Sequence, residues 1–172
     1  MKRCGLILML ICALWMTGCA TPVSEGAELL EKKEYQQAVE KFTEAIDEDE
    51  DLAEAYKGKG IAQWELKEYK NAKDSMEKAL KNGAEETAVL YQIMGDCDMA
   101  LENYESALSN YLKGMSCEDV DEEQIQQMSR NEITAYEYLG DWGTAKAKMR
   151  AYVEKYPDDE NAKKEAEFLE TR

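Results

Sequence analysis

The chain has 172 residues, of which 44% are hydrophobic and 34% charged, so a packed core is within reach and wholesale disorder is not expected. Its 37 acidic residues outweigh 21 basic ones, giving a formal charge of −16, and histidine is absent. That balance argues against a phosphate-neutralising footprint and against adhesion to anionic lipid, and the lack of histidine excludes histidine-dependent catalysis. The acid has two readings that stay open: it keeps the protein soluble, or it faces a basic partner.

In chain order, Lys2 and Arg3 precede an uncharged apolar run from Gly5 to Trp15. Its 11 residues are too few for a bilayer span, which needs about 20, and match the hydrophobic stretch of a secretory signal. Met16-Thr17-Gly18-Cys19 follows. A small pair before cysteine resembles the bacterial lipobox, with Met16 standing where that family usually has Leu, Val or Ile. The resemblance implies cleavage between Gly18 and Cys19, a diacylglyceryl group on Cys19, and a body on the extracytoplasmic side of a membrane. Two acyl chains hold stably where one holds marginally. Losing residues 1–18 would remove Lys2 and Arg3 and no acid, leaving a side-chain charge of −18.

Beyond that point only Pro22 and Pro157 interrupt a composition rich in helix formers, so the body is expected to be all-α. Three stretches align: Gly26, Tyr35, Ala38, Phe42, Ala45; Gly60, Tyr69, Ala72, Met76, Ala79; and Gly95, Tyr104, Ala107, Tyr111, Gly114. Their glycines are 34 and 35 residues apart, the extra residue falling in Asn82-Gly83-Ala84. This spacing resembles the tetratricopeptide repeat, a 34-residue helix–turn–helix unit. A divergent fourth unit carries Gly140-Asp141-Trp142, Ala145, Met149, Tyr152 and Pro157, with Ile133 in the glycine place.

The resemblance implies a right-handed superhelical array of antiparallel helix pairs. It divides the chain into a signal peptide over 1–18, lipidated Cys19 with a very short linker over 19–21, repeats over 22–51, 52–86, 87–121 and 122–157, and a capping helix over 158–172. Gly26, Gly60 and Gly95 are expected where two helices approach closely, opposite Ala38, Ala72 and Ala107, with Ala145 the fourth small residue. Tyr35, Tyr69, Tyr104 and Trp142 are expected to fill the turns. In the last helix Ala162, Ala166, Phe168 and Leu169 are available for burial. An oxidising compartment permits a Cys97–Cys117 bridge, although the helical reading sets the two at different heights on a hairpin.

Asp47 to Asp51 and Asp119 to Glu123 alternate acids as a calcium loop does, but Leu52, Gly58, Gln124 and Arg130 occupy the places such a loop gives to glycine and glutamate. There is no GxxxxGK[ST] phosphate loop, no CxxC pair and no nucleophile on an identifiable turn, so neither cofactor nor metal is expected.

The resemblance places the first helix of each pair along a concave groove. Its lining would include Glu54, Lys57, Ile61, Trp64 and Glu65, then Val89, Gln92, Asp96 and Met99, then Gln127, Arg130, Asn131, Thr134 and Tyr138. The clamp by which some family members hold a C-terminal carboxylate is missing, since Val23, Ala27, Gly58, Val89 and Ile93 stand in its places. Trp64 is read either as a partner anchor or as packing on the next repeat. The expected role is an adaptor for a protein or peptide partner, against the alternatives of an envelope enzyme and a passive coat protein.

Overall fold

The computed structural model describes residues 21–172; the readings on residues 1–18 and Cys19 lie outside them. Nine helices make up the described residues: α1 (Pro22–Glu31), α2 (Tyr35–Asp47), α3 (Leu52–Glu65), α4 (Tyr69–Lys81), α5 (Ala88–Ala100), α6 (Tyr104–Gly114), α7 (Glu122–Tyr138), α8 (Trp142–Lys155) and α9 (Glu160–Leu169). Thr21 caps α1 through a reciprocal bond with Ser24, and Pro22 takes the first helical place, where its missing N–H costs nothing.

Each pair closes through the same turn. The N–H groups of Glu34, Glu68, Asn103 and Asp141 reach back to the carbonyls of Leu29, Gln63, Asp98 and Tyr136, at 2.8 to 3.0 Å. The preceding residue must then be left-handed, and Lys33, Lys67, Glu102 and Gly140 have φ of 60°, 62°, 62° and 72°. Only the fourth repeat uses glycine there.

Along the chain every helix packs on its neighbour, and α1, α3, α5 and α7 also pack on one another. No such contact joins α2, α4, α6 and α8. First helices are therefore closer together than second helices, which curves the array with the first helices inside. The result is an all-α solenoid.

Its hairpins are held by a bulky residue pressed against glycine. Phe42, 2% exposed, lies between Gly26 of its own repeat and Gly58 of the next; a methyl group on Gly26 would come within 2.9 Å of the ring, and one on Gly58 would overlap it. Tyr111 bears on Gly95 in the same way, and Met76 on Gly60 at 3.0 Å. Ala38, Ala72, Ala107 and Ala145 are fully buried beside them. On α1 the places equivalent to Gly58 and Ala62 carry Ser24 and Glu28, so its outer face is polar and exposed.

Buried polar pairs recur too. Residues 12 apart meet across a hairpin: Ser75 donates to Gln63 at 2.7 Å, and Asn110 to Asp98 at 2.9 Å. The Lys148 ammonium lies 5.9 Å over the Tyr136 ring at the corresponding place in repeat four. Asp98 is fully buried and also accepts from Lys73 at 2.6 Å, tying repeat three to repeat two.

The last helix docks through Ala162, Ala166 and Leu169, but Phe168 is not in the core. It is 50% exposed, and the Arg172 guanidinium covers it at 4.9 Å. Trp142 is 37% exposed at the start of α8 and makes its own contact with Arg172 at 5.6 Å, so it only partly fills its turn. Cys97 and Cys117 are free thiols. Burial, with Asp96 and Asp98 nearby, pushes the Cys97 thiol up to about 12.

Two alanine substitutions test the wedge. At Gly95 the gain in helix propensity, about 1 kcal/mol, is outweighed by overlap with Tyr111, where overpacking typically costs about 1–3 kcal/mol. Gly95→Ala should lower the urea midpoint, whereas Gly143→Ala, whose added methyl meets only Asp141 at 3.7 Å, should leave it unchanged or raise it. A Gly95→Ala protein as stable as the parent would remove close approach as the force holding the pair.

Candidate docking groove

The inner surface has two halves of different character. At the junction of repeats three and four the polar side chains bond one another. Gln92 donates to Gln127 at 2.7 Å, linking α5 to α7. Asp96 accepts from the Tyr111 hydroxyl at 2.8 Å and from Asn131 at 2.9 Å. Burial raises the Asp96 carboxyl above its ordinary pKa, and these two donors pull it partly back. Arg130 donates to Glu165 at 2.6 Å and Asp159 at 3.4 Å, both on the C-terminal side, and lies 5.5 Å over the Tyr152 ring. Arg130 and Asn131 therefore sit together on the inner face but are committed to internal partners.

The other expected lining residues are spread along the array. Trp64 is half-buried against the cluster of Ile93, Met94 and Cys97, which is the packing reading of that residue. Met99 packs beside Ala107 and Tyr111. Tyr138 is 64% exposed at the turn edge and stacks on Tyr104 with centroids 4.9 Å apart, away from Lys57 and Ile61. Lys57 is paired with Glu54 at 2.6 Å.

Between repeats two and three the surface is apolar and open. Ile61, Met76, Val89 and Ile93 line a crevice of about 230 Å³. Lys57, Thr87 and Asp119 supply its polar lining. Asp119 accepts from the backbone N–H of Ala88 at 2.9 Å, which fixes its carboxylate at the start of α5. Val89 is 44% exposed. Sequence alignment marked Ile61 and Val89 as inner-face positions; the role of Met76 and Asp119 was missed. The signal was present in the aligned column Phe42, Met76, Tyr111, where the middle member lacks a ring.

Among the described residues no group of three or more Cys, Asp or Glu side chains is placed to hold a metal, and no helix is long and apolar enough to cross a membrane. What the fold defines is a helical-repeat protein. Family models for the tetratricopeptide repeat match residues 24–87 and 134–159, and α5 and α6 between them carry the same geometry. The chain belongs to the tetratricopeptide repeat family.

Solved structures agree on the fold. YrrB, described as a TPR protein with an unusual peptide-binding site, is 24% identical over 86% of this chain and 74% of its own, with a TM-score of 0.73. A MamA RS-1 ArsTM double mutant is 16% identical over 88% of this chain and 82% of its own, also with a TM-score of 0.73. The C-terminal part of a TPR repeat-containing protein from Cytophaga hutchinsonii is 13% identical over 81% and 67%, with a TM-score of 0.54. No curated protein matches the chain.

Asp96 yields a pH test. Folding raises its pKa, so the folded state holds this proton more tightly than the unfolded chain does. Its contribution is complete below the unfolded carboxyl value, about 4, and is lost as pH rises through the higher folded value. Asp96→Asn keeps an acceptor without the charge. Urea midpoints of the variant should gain on the parent as pH rises from about 4 to about 7, and a pH-independent difference between the two would clear Asp96 of this role.

Proposed function

We propose that this protein is a lipid-anchored adaptor that holds a protein segment in its inner groove on the extracytoplasmic side of a membrane. The observation that carries the docking half is the open apolar crevice between α3 and α5, a surface that a folded monomer has no internal reason to leave uncovered. The family supports it, because stacked hairpins present a continuous inner face to a partner. YrrB, similar in fold, is described as having a peptide-binding site.

The anchoring half rests on sequence: Lys2 and Arg3, the apolar run Gly5 to Trp15, and Thr17-Gly18-Cys19. The first helix starts at Pro22, so two residues separate Cys19 from it and the array would sit close to the bilayer. The start of α1 lies at the same edge as the acidic inter-repeat turns, including Asp47–Asp51 and Asp119–Glu123. The opposite, helix-turn edge would point away from the membrane.

Each half has its own test. With Cys19→Ser, fatty-acid labelling should vanish and the protein should leave the membrane pellet; persistence in the pellet overturns the anchor. A photo-crosslinking residue at Ile61 should capture a discrete partner in intact cells, while one at exposed Glu77 on α4 should not. Indistinguishable adduct patterns from the two faces would sink the groove.

A further inference from the structure

We infer that the crevice between repeats two and three is the specificity pocket of the groove, and that it takes one bulky aliphatic side chain from a segment with basic residues beside it. This rests on the groove reading above and adds the chemistry of the partner.

The crevice exists because one wedge is smaller than its counterparts. At the junction of repeats one and two, the Phe42 ring fills the space between Gly26 and Gly58. At the junction of repeats three and four, Tyr111 fills the space at Gly95, and its hydroxyl reaches Asp96, which also binds Asn131. The middle junction has Met76, an unbranched chain without a ring, and Ile93 takes the place of Gly58. Met76 and Ile93 are 1% and 5% exposed, so they form a floor instead of a mouth. The mouth is formed by Ile61 and by Val89, which is exposed. At about 230 Å³ the space is below the ~300–1,000 Å³ usual for small-molecule sites and suits a single side chain.

Charge at the mouth selects what flanks that side chain. Lys57, the cation among the described residues that line it, is paired with Glu54 at 2.6 Å. Asp119 accepts from the Ala88 amide and has no cation paired with it among the described residues. The two turns that carry Thr87 and Asp119 also carry Glu85, Glu86, Glu118 and Asp121. A segment entering from that edge meets a negative field, which favours lysine or arginine next to the apolar residue and disfavours acid. At the other half of the groove the polar groups are already satisfied by Gln92–Gln127, Asp96–Asn131 and Arg130–Glu165, so a partner gains little by displacing them.

The test uses the full chain in lipid nanodiscs, with methyl-labelled methionine, and a short synthetic peptide bearing one leucine with lysines on both sides. Saturable movement of the Met76 methyl resonance is expected. Binding should weaken at least about tenfold when the leucine becomes aspartate or when the lysines become glutamates, a change equal to about 1.4 kcal/mol. Met76→Phe copies the ring of repeat one opposite Gly60 and should close the crevice with a matching loss of binding, read for this variant by fluorescence anisotropy of the labelled peptide. Should that variant melt early, Val89→Lys at the exposed mouth, which removes apolar surface and repels the flanking lysines, carries the same expectation. Undiminished peptide binding by a folded Met76→Phe or Val89→Lys protein, equal affinity for the glutamate-flanked peptide, or no saturable shift would each overturn the pocket. If the Ile61 crosslink to a cellular partner survives in Met76→Phe cells, the adaptor reading stands and the pocket alone falls.

Discussion

A large side chain pressed against a glycine on the facing helix sets everything else in this solenoid. Phe42 on Gly26 and Gly58, Met76 on Gly60, and Tyr111 on Gly95 bring helix pairs close enough for the fully buried alanines 38, 72 and 107 to meet their partners. Glycine weakens a helix in isolation by about 1 kcal/mol, so its use at mid-helix signals that the packing recovered by close approach is worth more. Phe42 also touches the next repeat, so the same residue closes a hairpin and stacks it. Remove the wedge and both the pair and the array lose their register.

Once the wedge is the organising unit, variation in its size becomes functional variation. Rings at the first and third junctions press on Gly26, Gly58 and Gly95, while the thioether at the second floors a crevice on the inner face. Polar groups divide the groove in a complementary way. They close on one another between repeats three and four and leave the junction of repeats two and three to apolar side chains. An inner surface that looks uniform as a row of aligned positions is therefore divided between an apolar stretch and one whose polar groups bond one another.

The buried polar pairs serve alignment more than net stability. Gln63–Ser75 and Asp98–Asn110 join the same two helical places in successive repeats, and Lys73 extends the Asp98 pair across a repeat boundary. Each group would cost energy if the hairpin slid by one residue and left it unpaired, which ties the wedge to a single register. The last helix follows a different rule. With Ala162, Ala166 and Leu169 as its buried apolar face, it depends heavily on Arg130 and Tyr152 bonding to Asp159 and on Arg150 bonding to Glu170.

The repeat itself was legible in the chain alone, because a 34-residue recurrence of glycine, aromatic and alanine is a local covalent pattern that stacking neighbours must obey. So were the helix boundaries at Thr21-Pro22 and Gly140, where backbone chemistry acts within a few residues. Three things depended on which atoms meet across repeats, and no local pattern carries that. Phe168 turned outward because the side of α9 that meets α8 is filled by Ala162, Ala166 and Leu169. Arg130 and Asn131 proved to be committed internally, since their acceptors lie 29 to 35 residues away. The open crevice arose from the volume difference between Met76 and the rings above and below it, a quantity that exists only after the hairpins have stacked.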